Sequence, residues 1–430
     1  MNIYDKYRRL RELFTFTYKG IEMNRVLAVP LFIVAGRKHW RPRQLLADTA
    51  YLFLAMNFRR RSFDPARNTV FTTIGPYSTA RPDHTRRYDA VTARLGEQAS
   101  RNEIEKWGYC PAFNPAIIVR AIAASFRAFR GTGLSFARKW HIAGRTAYYC
   151  NSYRLLARAD ISGIKKYLTL NASLEHENLL TQFFRQRGIP TYTSMEAIYI
   201  YWGENPPIGV MAYDNFTSDR LLCVGEYSRD QMIRAGIGAE RLLVAGCWRH
   251  ETVRPVKCSG EWRRGIAMMG AEEFRDTNVE CLRILMQQRD MEFCLKLHPH
   301  SDAAFYGSIV AGSNVSILPE MLLSEALDPA EYDFALAVNT VAYYESYIAG
   351  LPCLRYTDGS YPVLAGLDDC FSDSESFARV RGELQSSAAP ELQEQIGRML
   401  RYAMGLGIDN YRTLLLGDDS PREPQTDEKL

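Results

Sequence analysis

Between Asp333 and Pro352 the chain reads Phe334-Ala335-Leu336-Ala337-Val338, then Asn339-Thr340, then a largely apolar stretch to Ile348, then Gly350-Leu351-Pro352. Five apolar residues in a row, bounded by polar ones, describe a strand covered on both faces, the mark of a parallel sheet with crossover helices. Asn339-Thr340 closes that strand and opens a helix, which Gly350 and Pro352 end. The same pattern recurs at 291–297, where a buried strand delivers Lys296, His298 and His300 at its carboxyl end. Open α/β sheets place ligands at that end of their strands.

A chain of 430 residues exceeds one core, so two domains of about 200 residues each are expected. Strands over 69–74, 167–171, 191–193, 209–212, 220–224 and 241–246, with helices over 115–129, 135–158, 174–186 and 228–235 among them, predict a first α/β domain at 67–250. The segment 77–87, with Ser78, Arg81, Asp83 and His84, reads as a loop. A polar linker at 251–262 leads to a second domain at 263–388, built from strands over 265–269, 291–297, 315–318, 334–338 and 352–356. Helices at 389–417 and a Pro-rich acidic tail at 418–430, expected to be disordered, end the chain. The fold class is α/β, two Rossmann-like domains facing a cleft, with a basic, partly helical amino-terminal region at 1–66.

That region is charged unevenly: residues 1–67 hold fourteen Lys or Arg against five Asp or Glu. Its apolar stretch 45–58 is flanked by Arg41, Arg43 and Arg59-Arg60-Arg61, a pattern that suits an anionic membrane surface and equally a core helix with solvated ends. No nucleic-acid recognition module accompanies the arginines, so nucleic acid is not an expected partner. The apolar run 26–36 is too short to span a bilayer, no secretory leader is visible, and the nine cysteines form no CxxC pair. Together these predict a cytoplasmic protein, with the inner membrane face as a peripheral site.

The donor-side candidates are Gly270, Lys296, His298, Thr340, Glu345 and Arg249. His298 reads as a phosphate contact, with a structural loop histidine as the competing reading. Lys296 can reach phosphate or solvent. Thr340 can cap its helix and also meet a diphosphate, because the first-turn N–H groups point the same way. Glu345, on an otherwise apolar helix, needs a partner, either ribose hydroxyls or a buried arginine. Gly270 ends a strand where a phosphate can approach closely. Arg249 can meet the donor phosphate or anchor the linker. The first domain offers Glu196, Glu177, His176, His84, Glu175 and Asp83 as acid or base groups. Glu196, after the strand 191–193, is the preferred base. No metal site is expected.

The chain resembles bacterial surface-polysaccharide glycosyltransferases of GT-B architecture, allied to the CDP-glycerol glycerophosphotransferase and capsule polymerase group. The resemblance spans about 165–365 and is carried by Gly188-Ile189-Pro190-Thr191-Tyr192-Thr193, Gly236-Ile237…Arg241…Gly246, Lys296-Leu297-His298-Pro299 and Thr340…Glu345…Gly350-Leu351-Pro352. It implies a nucleotide-sugar donor of CMP, CDP or UDP type as substrate, with no separate cofactor. The donor would lie in the second domain, near His298, Thr340 and Glu345, and a glycan or glycolipid acceptor in the first. Many relatives have a histidine-glycine pair where this chain has Glu196-Ala197, which shifts the expectation from glycerophosphate transfer to sugar transfer with a carboxylate base. A polyol-phosphate transferase, a nucleotide-sugar 2-epimerase and a non-catalytic nucleotide-binding protein remain alternatives.

Overall fold

Buried strands of apolar and β-branched residues form two parallel sheets in the computed structural model, which describes residues 2–36, 41–60, 69–195, 197–203, 208–247, 253–256, 260–299, 301–405 and 407–417. The first sheet holds β1 (Val70–Ile74), β2 (Ala99–Glu103), β3 (Lys166–Thr169), β4 (Thr191–Ser194), β5 (Arg220–Cys223) and β6 (Leu242–Val244). The second holds β7 (Arg264–Met268), β8 (Glu292–Lys296), β9 (Val315–Ile317), β10 (Phe334–Val338), β11 (Cys353–Tyr356) and β12 (Cys370–Phe371). Every residue of β1, β3, β4, β10 and β11 is buried, as helices on both faces require.

The first sheet runs β6-β5-β4-β3-β1-β2 and the second β9-β8-β7-β10-β11-β12. In each, the connections reverse direction once, between β1 and β3 in the first and between β7 and β10 in the second. Two doubly wound sheets flanked by helices make a GT-B-like pair of Rossmann-like domains.

Three elements depart from the sequence expectation. Pro82–Leu95 is a helix rather than a loop, with proline in its first turn, where its missing N–H costs nothing. The segment read as a strand at 209–212 is helical, Met211–Asp214 following a short turn. Edge strand β2 is too polar to be read as a strand and alternates in burial.

The amino-terminal region packs into the first domain. Tyr7, Phe14, Ile21, Val26, Leu27 and Leu31 share one core with Phe71, Tyr149, Tyr167 and Phe183. Helix Ala28–Gly36 thereby buries Ala28, Val29, Pro30, Leu31 and Val34 inside protein. No helix among the described residues is long and apolar enough to cross a membrane.

The carboxyl-terminal chain crosses back to the first domain. Helix Ala389–Met404 packs on Glu226–Arg234, and Ile408, Tyr411 and Leu415 join the core of Val70, Leu168, Tyr192 and Leu222. At the crossing, glycines let backbones touch. Cys247 donates to the Gly405 carbonyl at 2.8 Å. A Cβ on Gly225 would lie 2.5 Å from the Ala403 carbonyl oxygen, and one on Gly246 would strike Gly407.

Candidate functional site

At the switch of the second sheet, Gly270 follows β7 with its backbone close against the end of β10. A Cβ there would lie 2.8 Å from the Val338 carbonyl oxygen and 3.0 Å from the Phe274 ring. Its N–H donates to Asn278 Oδ1 at 3.0 Å, and Asn278 Nδ2 returns a bond to its carbonyl at 3.0 Å. The glycine is therefore dictated by close chain packing, and its N–H is committed within the protein. Asn278, also bonded to the Tyr306 hydroxyl at 2.9 Å, was missed in the sequence because an Asn early in a helix looks like surface.

Across the switch, Asn339 ends β10 in the left-handed region at φ 44°, a conformation that a non-glycine residue adopts at some cost. It turns the chain sharply into helix Ala342–Ala349. Thr340 Oγ1 accepts from the Ala342 N–H at 3.3 Å, and the Thr340 carbonyl from Tyr343 at 3.3 Å. Both bonds lie just past the usual length, so an anion can draw these donors away. Glu345 is buried on the same helix, 9% exposed.

His298 follows β8, on the other side of β7, so it and Thr340 close strands two apart, about 10 Å across the sheet. His298 and Thr340 are each half-buried. Lys296 Nζ donates to the Leu297 carbonyl at 3.2 Å, and partial burial lowers its pKa.

Behind Thr340 a buried ion pair fixes the loop after β11. Arg355 Nε lies 2.5 Å from Asp369 Oδ1, the two side chains 8% and 0% exposed. The guanidinium also donates to the carbonyls of Leu364 and Leu367 and lies 4.7 Å from the Tyr343 ring centre, while the hydroxyls of Tyr343 and Tyr347 donate to Asp369. Ala337, Asn339, Thr340, Arg355, Tyr356, Val363 and Leu364 line a shallow hollow at this edge. An arginine inside the buried strand Cys353–Tyr356 was the signal available in the sequence.

At the switch of the first sheet, Glu177 is buried. It accepts from Thr169 Oγ1 and from the Asn171 N–H at 3.2 Å, and its carboxylate packs under Gly75, where a Cβ would collide with it. The carboxylate ties the ends of β1 and β3 together. His176 is wedged between two tyrosines, Nε2 3.2 Å from the Tyr148 hydroxyl and Nδ1 3.5 Å from that of Tyr149. Burial first and Arg145 second lower its pKa to about 3. So weak a conjugate base is poorly matched to proton abstraction near neutral pH. His84 is buried in the first turn of helix Pro82–Leu95.

Glu196 and Arg249 lie outside the described residues, as do His300 and the tail 418–430. The loop after β4 crosses to the second domain. On it, Trp202 stacks on Phe274 at 5.8 Å between ring centres and meets Tyr361 edge-on at 5.6 Å. Phe274 follows β7 and Tyr361 follows β11, so the carboxyl edges of the two sheets meet through this loop. Among the described residues no group of three His, Cys, Asp or Glu stands close enough to hold a metal ion.

No family model matches the chain, and no curated protein matches it. It is similar to solved structures of a UDP-N-acetylglucosamine 2-epimerase from Rickettsia bellii (12% identity, 81% of this chain and 96% of that one, TM-score 0.48) and of a lipopolysaccharide outer core galactosyltransferase (10%, 80% and 98%, TM-score 0.47). A UDP-GlcNAc 2-epimerase from Neisseria meningitidis is similar at 12% identity over 81% of this chain and 98% of that one, with a TM-score of 0.43. Values this low carry nothing about the chemistry of this chain, and its architecture rests on its own strand order.

Proposed function

We propose that the chain is a nucleotide-sugar-dependent glycosyltransferase acting on a surface glycan or glycolipid, in the manner its resemblance to the capsule polymerase group implies. One observation carries this reading: the reversal of strand order between β7 and β10, with His298 on one side and the helix opening at Thr340 on the other. A diphosphate lying across Gly270 would accept from the first-turn N–H groups and from His298, with Lys296 adding charge. Glu345 would bind ribose hydroxyls, and Arg249, at the end of the first domain, would meet the donor phosphate.

In the transfer step a carboxylate, Glu196 by preference, takes the proton of the acceptor hydroxyl while its oxygen attacks the anomeric carbon. The bond to the nucleoside diphosphate breaks, and the diphosphate leaves with the electron pair, stabilised by the same donors. The acceptor is brought from a membrane face. Leu46, Phe53, Phe113 and Phe136 are exposed at 73%, 43%, 64% and 60%, and Arg41 and Arg43 are exposed beside Leu46, a combination suited to an anionic bilayer.

A nucleotide-sugar 2-epimerase is the second reading, favoured by Glu175, which stands with Arg145 at the first sheet's switch. The test is amide exchange with UDP, CDP and CMP and their sugar conjugates. One nucleotide family should protect both 296–299 and 340–345, and protection by none would refute the reading. Product analysis then separates transfer, which releases free nucleotide, from epimerisation, which interconverts two nucleotide sugars.

A further inference from the structure

Beside the switch of the first sheet, Arg145, from the middle of helix Phe136–Leu156, faces Glu175 at the start of helix Glu175–Arg185. Nη1 and Oε1 are 3.9 Å apart, beyond hydrogen-bond length. Arg145 Nε and Glu175 Oε1 have no hydrogen-bond partner. A buried polar atom left without a hydrogen bond costs about 1–3 kcal/mol, which a ligand bonded to either atom would offset, the ion pair itself remaining. The two side chains keep 20% and 10% of their surface open.

The surroundings are aromatic. The Arg145 guanidinium lies 4.1 Å from the Tyr51 ring centre, and the Tyr51 and Tyr109 hydroxyls are 3.4 Å apart. Tyr149 is fully buried and bonds Glu175. Tyr77 and Tyr109 are 50% and 57% exposed. Tyr77 stands within range of Glu175: burial first, then that charge, push its pKa up to about 12.

A donor and an acceptor 3.9 Å apart, neutral as a pair and edged by open aromatic rings, fit one class of ligand. Sugar C–H faces lie on aromatic rings, and adjacent sugar hydroxyls accept from a guanidinium and donate to a carboxylate. A lone phosphate or carboxylate fits worse, because Glu175 would face it at close range. We propose that Tyr51, Tyr77, Tyr109, Arg145 and Glu175 form a saccharide-binding site. It rests on the proposed function only for the source of the sugar, which is the acceptor glycan in a transferase and the donor's own hexose in an epimerase.

The test uses saturation-transfer NMR and calorimetry on the full chain. The probes are methyl glycosides of glucose, galactose, N-acetylglucosamine and glucuronic acid, the bare nucleotides UDP, CDP and CMP, and nucleotide sugars. Tyr77→Ala and the charge-balanced double variant Arg145→Met/Glu175→Gln are compared with the wild type. At least one sugar should bind, about tenfold more weakly in Tyr77→Ala and undetectably in the double variant, with bare-nucleotide affinity changed by less than about twofold. Binding of a free glycoside assigns the site to the acceptor, and sugar contact only in a nucleotide conjugate assigns it to the donor. No sugar contact in any arm, or equal affinity in the variants, overturns the proposal. Glycoside binding without any nucleotide binding would keep this site and remove the proposed function.

Discussion

His176 gives the sharpest quantitative expectation. Its ordinary pKa of 6.5 falls to about 3 in the folded chain, so the native state binds fewer protons than the unfolded state throughout the window between those values. Stability contributed by the neutral imidazole is present above pH 6.5 and is lost as pH falls. At pH 5 an unfolded imidazole is almost wholly protonated and the folded one is not, which is worth about 2 kcal/mol against about 0.2 kcal/mol at pH 7. Partial exposure of the ring makes this an upper figure. Urea unfolding at pH 7 and pH 5 should show the wild type losing more stability than His176→Gln, with a difference of about 1–2 kcal/mol. A parallel loss in both proteins, or an imidazole seen by NMR to titrate near pH 6, would refute the enclosed, neutral role given to this residue.

Asp369→Asn removes the counter-charge of Arg355 and should cost about 3–5 kcal/mol in urea unfolding; a cost below about 1 kcal/mol would mean that Arg355 is reached by water. Gly246→Ala adds a Cβ at φ 89° against Gly405 and Gly407, and calorimetry should find it destabilised by about 1–3 kcal/mol. Trp202→Ala deletes two ring contacts worth about 0.5–1.5 kcal/mol each. Small-angle scattering should report a larger radius of gyration, with little change in melting temperature.

The second domain was the more legible half. Its inner strands are largely apolar, and the polar residues that interrupt or end them, Arg355, Lys296 and Asn339-Thr340, stand out against that background. The first domain hid more. Strand β2, Ala99–Glu103, carries no apolar run because it is an edge. Helix Pro82–Leu95 begins with charged and turn-forming residues that read equally well as a loop. Pairs joined over long sequence distances were invisible in principle: Arg145 with Glu175, Arg355 with Asp369, and Tyr411 with Ser194. Nothing in local spacing says which buried charge meets which. Gly246 stood in the sequence as the end of a strand, yet the returning carboxyl-terminal chain dictates it, a contact across about 160 residues.

The two switches are built to different ends, and that difference locates the chemistry. In the first sheet Glu177 packs under Gly75 and accepts from Thr169 and Asn171, tying the ends of β1 and β3 together. Beside it, Glu175 and Arg145 form an ion pair 3.9 Å apart, with Arg145 Nε and Glu175 Oε1 left without a hydrogen bond. In the second sheet Asn278 takes the Gly270 N–H, and the donors that remain loosely held are those of the helix opening at Thr340. On the proposed function, an anion would take the second sheet and a hydroxyl-rich ligand the first. The loop that carries Trp202 joins the two edges near these groups, and it starts at the end of β4, beside Glu196 in the sequence. Ring contacts worth about 1 kcal/mol each add to the apolar cluster that both domains share and are weak enough to yield to an incoming substrate.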